Sequence, residues 1–262
     1  MNLESHPLPD FNLGGRQALI TGASGGLGLH MARTLARAGA HVHLGARSAA
    51  KLQAEVEAMT AAGLRASALS IDVQDPQQVE AALQQLQARI GAPLDIVVNN
   101  AGVTNTKPLL AQQPDDWDRI LDTNLRGAWL VGSAAVRGMV AAGRPGVIVN
   151  IASILGERVA SGVAPYSASK AGLIQLTRSM ALEWARHGVR ANALLPGYIA
   201  TDLNREFLAS EAGERLRQRV PTRRFGQAAD LDGPLLLLCS EAGRHITGAT
   251  LAVDGGHMIN SL

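Results

Sequence analysis

The chain has 262 residues, 47% hydrophobic and 18% charged, so it can bury a sizeable core and falls outside the disordered, collagen-like and coiled-coil classes. Its 24 Lys and Arg against 22 Asp and Glu leave a net charge of +2, too small a surplus for nucleic acid to be the main partner. The single cysteine, Cys239, excludes an intrachain disulfide and fits a reducing compartment.

The first residues, MNLESHPLPDFNL, lack the basic-then-apolar pattern of a leader, and residues 1–14 read as an N-terminal extension. No uncharged apolar segment reaches bilayer-spanning length, so a soluble cytoplasmic protein without membrane contact is expected. Short aliphatic and β-branched runs follow at 17–21, 41–45, 66–71, 94–99, 146–152, 190–195 and 250–253. Stretches rich in Ala, Leu, Gln and Arg separate them, giving helices near 26–38, 48–62, 76–90, 115–141, 164–187 and 227–240. Parallel strands need long crossovers, and right-handed crossovers place helices on both faces of one sheet. The alternation therefore predicts a doubly wound parallel α/β sheet. No Pro/Gly/Ser linker and no internal repeat divides the chain, so one domain spanning 1–262 is expected. The stretch at about 197–226, with Arg205, Arg215, Arg217, Arg219, Arg223 and Arg224, fits the alternation least. It reads as an excursion from the sheet, either a solvated charged helix or a lid beside the substrate.

At the first strand–helix junction stands Thr21-Gly22-Ala23-Ser24-Gly25-Gly26-Leu27-Gly28. Missing side chains let the backbone approach a pyrophosphate, while unpaired amides at the helix start face its charge. A glycine cluster alone fits a tight turn equally well; its position between strand and helix favours the phosphate loop.

The chain has two tyrosines and three lysines, yet Tyr166 and Lys170 stand four apart in Tyr-Ser-Ala-Ser-Lys. On a helix that spacing shares one face. A phenol of ordinary pKa about 10 is a poor proton carrier near neutrality, and a nearby ammonium favours the phenolate. Ser153 ends the run 146–152 at the carboxyl edge, where open α/β sheets bind ligands, and can donate to a carbonyl oxygen that gains charge. By itself it also fits a cap or turn residue. Asn99-Asn100-Ala101-Gly102 closes the run 94–99, and Asn124 falls inside a helical stretch, where a poor helix former marks a kink or a polar task.

Taken together, TGASGGLG at 21–28, Asp72-Val73, NNAG at 99–102, Asn124, Ser153, YSASK at 166–170, Pro196-Gly197 with Thr201, Ile246-Thr247-Gly248 and Val253-Asp254-Gly255-Gly256 resemble the short-chain dehydrogenase/reductase family. The matching motifs run from Thr21 to about Gly256. The resemblance implies a nicotinamide-dependent oxidoreductase on a Rossmann-type sheet of about seven strands. It also implies a catalytic tetrad. Tyr166 would exchange the proton with the carbonyl or alcohol, Ser153 would hold and polarise the oxygen, Lys170 would lower the phenol's pKa and bind the nicotinamide ribose, and Asn124 would hold a water of the proton relay. Cofactor contacts implied in the same way fall on Gly22, Ser24, Gly26, Leu27 and Gly28 at the pyrophosphate turn, and on Asp72 and Val73 at the adenine. Asn100, Ala101 and Gly102 follow on the adenosine and nicotinamide sides, then Tyr166, Lys170, Pro196, Gly197, Ile199 and Thr201, the last reaching the carboxamide. No metal is needed. His41 and His43 share one strand face, but no third ligand follows in metal-site spacing.

At the end of the second strand, where a carboxylate would bond a ribose 2′-hydroxyl and repel a 2′-phosphate, the chain has Ala46 followed by Arg47. With a cation and no carboxylate there, NADP(H) is expected over NAD(H), which stays possible. NADP-dependent relatives often carry a second basic residue in the glycine turn, where this chain has Gly25. The substrate expected is a small polar molecule such as a sugar, polyol or oxoacid, with Glu157, Arg158, Tyr198 and the excursion bordering its pocket. A 3-oxoacyl carrier-protein reductase of fatty-acid synthesis is the alternative; it would need a basic docking surface, which the arginines at 215–224 could supply, although they equally fit a solvated helix or a clamp for an acidic substrate. A second alternative is a non-catalytic nicotinamide-binding regulator, which would have no need for the intact tetrad. The resemblance further implies a homo-oligomer, a tetramer with two-fold axes formed through helices 115–141 and 164–187. Cys239 and the three tryptophans read as packing residues.

Overall fold

Strand β1 (Gln17–Thr21) is apolar through its interior and buried at four of its five residues, as a strand covered on both faces must be. Its neighbours β2 (His41–Ala46) and β4 (Ile96–Asn99) are equally inaccessible in their interiors. With β3 (Ala66–Ser70), β5 (Gly146–Ile151), β6 (Val189–Pro196) and β7 (Thr250–Val253), they form a seven-stranded parallel sheet of order β3-β2-β1-β4-β5-β6-β7. This computed structural model describes residues 10–201 and 204–259. Residues 1–9 of the expected extension and 202–203 of the excursion lie outside the described residues.

Alternation along each strand divides the core in two. Ala18, Ile20, Ile96 and Val98 pack with Met31 and Leu35 of helix α1 (Gly26–Arg37) on one face. Leu19, Val97 and Ile148 pack on the other with Leu83 and Leu86 of α3 (Pro76–Ile90) and Val131 and Ala135 of α5 (Gly127–Ala141). Helix α2 (Ala49–Ala61) precedes β3, and α6 (Ala164–Trp184) precedes β6. The doubly wound parallel sheet predicted from the sequence is thus observed. Each strand lies within two residues of its predicted bounds; β4 starts late, at Ile96, and Asp95 just before it accepts from the Gln17 amide at 2.8 Å through its carboxylate.

Three stretches are more broken than the sequence pattern suggests. The helix predicted over 115–141 runs as α4 (Pro114–Leu121), a π-helical turn (Asp122–Arg126) and α5, with the Gly127 amide reaching five residues back to the Asp122 carbonyl. The excursion holds two short helices, α7 (Arg205–Ala209) and α8 (Glu211–Arg217). The last predicted helix opens with a 3-10 turn (Ala228–Leu231) before α9 (Asp232–Cys239).

Among the polar side chains buried within the sheet, one can titrate near neutrality in the unfolded chain. His43 is fully buried and bridges the neighbouring strands, with Nδ1 2.7 Å from Ser67 Oγ and Nε2 3.0 Å from Gln17 Oε1. Those partners suit a neutral ring that donates from Nε2 and accepts at Nδ1. Burial, then the neighbouring His41, pushes its pKa down to about 3. His41, stacked on it at 4.8 Å, is lowered too, first by burial and then by Arg65. A histidine lowered from 6.5 binds its proton in the unfolded chain first. Its stabilising effect is therefore complete above pH 6.5 and is lost as pH falls through the window from 6.5 to about 3, at about 1.4 kcal/mol per pH unit. Urea unfolding at pH 7 and pH 5 should accordingly show a smaller acid loss in His43→Gln than in the unsubstituted protein; equal losses would remove His43 from the account.

Candidate functional site

The order of strand addition reverses between β1 and β4, so the loops leaving these two parallel strands part in opposite directions and open a crevice at the carboxyl edge. The chain makes this crevice with the glycine turn. Gly22 has φ +67, and a Cβ at Gly28 would lie 2.3 Å from the Gly22 carbonyl oxygen, so neither position accepts a side chain without the turn moving. Helix α1 starts beside this turn with no acidic residue in its first turn and no side-chain cap, which leaves its amides for an anion. Thr21 Oγ1 accepts from the amides of Asn100 at 3.0 Å and Ala101 at 3.1 Å, and Asn100 Nδ2 donates to the Thr21 carbonyl at 2.9 Å. The two loops are laced together.

On the other side of the 99–103 loop lies Asn124, nearly inaccessible, in the π-helical turn. Its Oδ1 accepts from the Val103 amide at 2.7 Å; its Nδ2 donates to the Val103 carbonyl at 2.9 Å and to Ser169 Oγ at 3.0 Å. Ser169 Oγ in turn donates to the Tyr166 carbonyl at 2.7 Å. Both amide protons of Asn124 are thus spent on protein groups, and only Oδ1 retains capacity, as an acceptor.

Tyr166 and Lys170, on one face of α6 as their spacing predicted, turn toward β5. Lys170 is 4% exposed; its Nζ donates to the Ile151 carbonyl at 2.7 Å and stands 5.6 Å from the centre of the Tyr166 ring. Burial pushes its pKa down to about 8. Ser153, two residues past the end of β5, accepts from the Leu155 amide at 3.1 Å, which leaves its own hydrogen to donate. The Tyr166 phenol is shifted up, not down as the spacing suggested: burial raises its pKa, Ser153 opposes, and Tyr198 raises it further. The ammonium lies over the ring and bonds a carbonyl, so it does not meet the phenol oxygen directly in this structure.

A cavity of about 630 Å³ occupies the crevice. Of the predicted cofactor residues, Gly22, Ser24, Arg47, Asp72, Val73, Ala101 and Gly102 line it. Gly26, Leu27, Gly28 and Asn100 shape the turn without lining the cavity, and Pro196, Gly197, Ile199 and Thr201 lie beyond it. Ile199 is 4% exposed and packed in the core, so only its backbone is left to reach a ligand. Asn204 pins that backbone, donating to the Ile199 carbonyl at 2.9 Å and accepting from the Thr201 amide at 2.8 Å. The sequence reading missed Lys51 and Arg119, which share the cavity with Arg47. Lys51 stands one helical turn beyond Arg47 at the start of α2, a helical spacing that could have found it. The cavity thus has three cations against one carboxylate, Asp72, and it fits a dinucleotide carrying an extra phosphate.

Among the described residues no group of His, Cys, Asp and Glu is arranged to hold a metal ion, and no helix is long and apolar enough to cross a membrane.

Comparison with known proteins bears on the same residues. A family model described as enoyl-(acyl carrier protein) reductase matches residues 22–258. The gluconate 5-dehydrogenase of Gluconobacter oxydans is 41% identical over 253 residues, covering 96% of this chain and 98% of that protein. The 3-oxoacyl-(acyl-carrier-protein) reductase FabG of Pseudomonas aeruginosa is 39% identical over 245 residues, 94% of this chain and 98% of that one. The crystal structure of a gluconate 5-dehydrogenase from Burkholderia cenocepacia, in complex with NADP and tartrate, superposes with a TM-score of 0.93 at 40% identity, covering 98% of this chain and all of that one. With the sheet order, the glycine turn and the Ser153–Tyr166–Lys170 cluster, these matches show that the chain belongs to the short-chain dehydrogenase/reductase family of oxidoreductases.

Proposed function

We propose that the protein is an NADP(H)-dependent dehydrogenase that interconverts a secondary alcohol and a ketone on a sugar acid. The observation that carries the reading is the meeting of two hydroxyls, Ser153 and Tyr166, with the buried ammonium of Lys170 beside a cavity holding Arg47 and Lys51. A bound nicotinamide dinucleotide supplies or accepts the hydride; the rest of the chemistry falls to the protein. Ser153, its lone pair engaged by Leu155, donates to the substrate oxygen and orients it. Tyr166 gives its proton to that oxygen in reduction and takes it back in oxidation. Lys170 keeps its charge below a pH of about 8, where it favours the phenolate and offers donors to a ribose. Asn124 holds the 99–103 loop in place and leaves Oδ1 to accept from a relay water.

The gluconate 5-dehydrogenase relatives support a sugar acid as substrate. The carrier-protein reductase reading required the arginines at 215–224 as a docking surface. Three of these are already paired: Arg215 with Glu211, Arg217 with Glu214 at 2.6 Å, and Arg224 with Asp230 at 2.7 Å. That pairing disfavours docking of an acidic carrier there. The single buried cysteine agrees with a cytoplasmic setting.

In Tyr166→Phe, turnover of D-gluconate with NADP⁺ should fall about 10²–10⁴-fold while NADPH affinity, read by nicotinamide fluorescence, stays within a few-fold. Substantial residual turnover would remove Tyr166 from the proton step. For cofactor choice, Arg47→Ala and Lys51→Ala should each weaken NADPH binding about tenfold and leave NADH binding unchanged, since each removes a charge-assisted contact to the 2′-phosphate. Equal loss for both cofactors would assign these cations elsewhere. The tetramer is supported by apolar side chains turned outward, Trp129 on α5 (48% exposed) and Leu182 on α6 (82%). Sedimentation at micromolar concentration should give a species about four times 27.4 kDa, and a 27.4 kDa monomer would refute it.

A further inference from the structure

Three segments far apart in the chain meet around Tyr198. Its ring lies 5.6 Å from that of His257 and 6.5 Å from that of Phe225. Tyr198 and Met258 pack on the cluster holding Ile154 and Leu173, immediately after Ser153. The segment 255–258 is fastened from both sides: the Thr222 amide donates to the Gly255 carbonyl at 3.2 Å, and Arg158 Nη1 donates to the Met258 carbonyl at 2.5 Å. This wall belongs to the reacting end, because the Tyr198 phenol is close enough to Tyr166 to act on its ionisation.

The charges on this wall do not balance. Arg158 and Arg219, from the loop after β5 and the turn after α8, both lie near enough to His257 to disfavour its protonation. Among the described residues neither has a carboxylate within salt-bridge distance, whereas Arg215, Arg217 and Arg224 on the same excursion all do. The one carboxylate acting on His257 is Asp254, and its two oxygens already accept from the Gly256 amide at 2.8 Å and the Met258 amide at 2.7 Å. His257 Nδ1 is buried with no hydrogen-bond partner, a deficit that a ligand oxygen would relieve. Burial and the two guanidinium groups hold the imidazole below its ordinary pKa, so near neutrality the positive charge of the wall resides on the arginines.

We infer that Arg158 and Arg219 bind the substrate's carboxylate, with His257 between them, so that the site selects a hydroxy acid over a neutral polyol of the same length. A carboxylate offers paired acceptors to the fork of a guanidinium, a match that a terminal hydroxymethyl group lacks. The inference rests on the sugar-acid reading above and names the residues that would enforce it.

The test uses Arg158→Met, Arg158→Lys and Arg219→Ala in the full chain. The KM for D-gluconate should rise tenfold or more in Arg158→Met and Arg219→Ala, with kcat changed less than threefold and NADPH affinity unchanged. The KM for sorbitol, which lacks the carboxylate, should not move, and Arg158→Lys should recover part of the loss. Calorimetric titration of D-gluconate into the Tyr166→Phe protein with NADP⁺ reads binding without turnover, and the same arginine substitutions should weaken it in parallel. Equal KM increases for gluconate and sorbitol, or none for gluconate, would overturn the inference. A protein that binds gluconate through these arginines without oxidising it would sink the substrate reading alone. One that binds no gluconate at all would sink both.

Discussion

The hydroxyl of Thr21 receives the amide protons of Asn100 and Ala101, and the organisation of the site hangs on that junction. The crevice exists because the order of strand addition reverses at β1 and β4; without a tie, the two loops leaving it would be free to spread. From Thr21 the connection continues through the 99–103 loop to Val103, then Asn124, then Ser169, and ends on the carbonyl of Tyr166. The glycine turn and helix α6, which carries Tyr166 and Lys170, are thus joined by hydrogen bonds between mostly buried groups, where a broken link leaves a partner unpaired. Such a network fixes the spacing between the glycine turn and the Ser153 and Tyr166 hydroxyls in advance of any ligand.

Holding this arrangement costs stability. Lys170 is buried with a single carbonyl partner, the half-buried Tyr166 stands against Ser153, and each is pushed toward its neutral form. Neither burial helps the fold by itself. The two apolar faces of the sheet offset the cost, with fully buried Leu19 and Ile20 of β1 packed among Met31 and Leu35 of α1 on one face and Leu83 and Leu86 of α3 on the other. The division is physical: the strand interiors stabilise, and the carboxyl edge carries polar groups that a ligand satisfies.

Most of this was legible in the sequence where one kind of residue has one use. Seven apolar runs gave seven strands, because parallel strands buried on both faces tolerate little else. The glycines at 22 and 28 marked the turn because no Cβ fits there. What stayed hidden depends on where side chains point after folding. Arg119 reads as an ordinary residue of a helix far from Arg47 in sequence until folding brings both to one cavity. The spacing of Tyr166 and Lys170 gave the shared face correctly, but not that the ammonium would turn to the Ile151 carbonyl, nor that burial would dominate the phenol. Ile199 follows a Pro-Gly pair that suggests an exposed loop, yet its side chain closes the core beneath Gly226. Asn124 was recognisable as a misfit in a helix, and the misfit is the π-helical turn itself.

That turn has a bearing on how the chain can tolerate change in length. Residues 122–126 make one turn with a residue more than an α-helix would use, and each residue advances an α-helix by about 100°. Deleting any one of them would let α4 and α5 merge into an unbroken helix. Everything before the deletion would then rotate against everything after it by that angle. Asn124 would swing off Val103, or α5 would lose the seating of Val131 and Ala135 on the sheet. Surface loops absorb single-residue losses by drifting; this helix has no slack to drift into. Its reading frame of side-chain directions is therefore as unforgiving as the glycine turn, though nothing in its composition announces it.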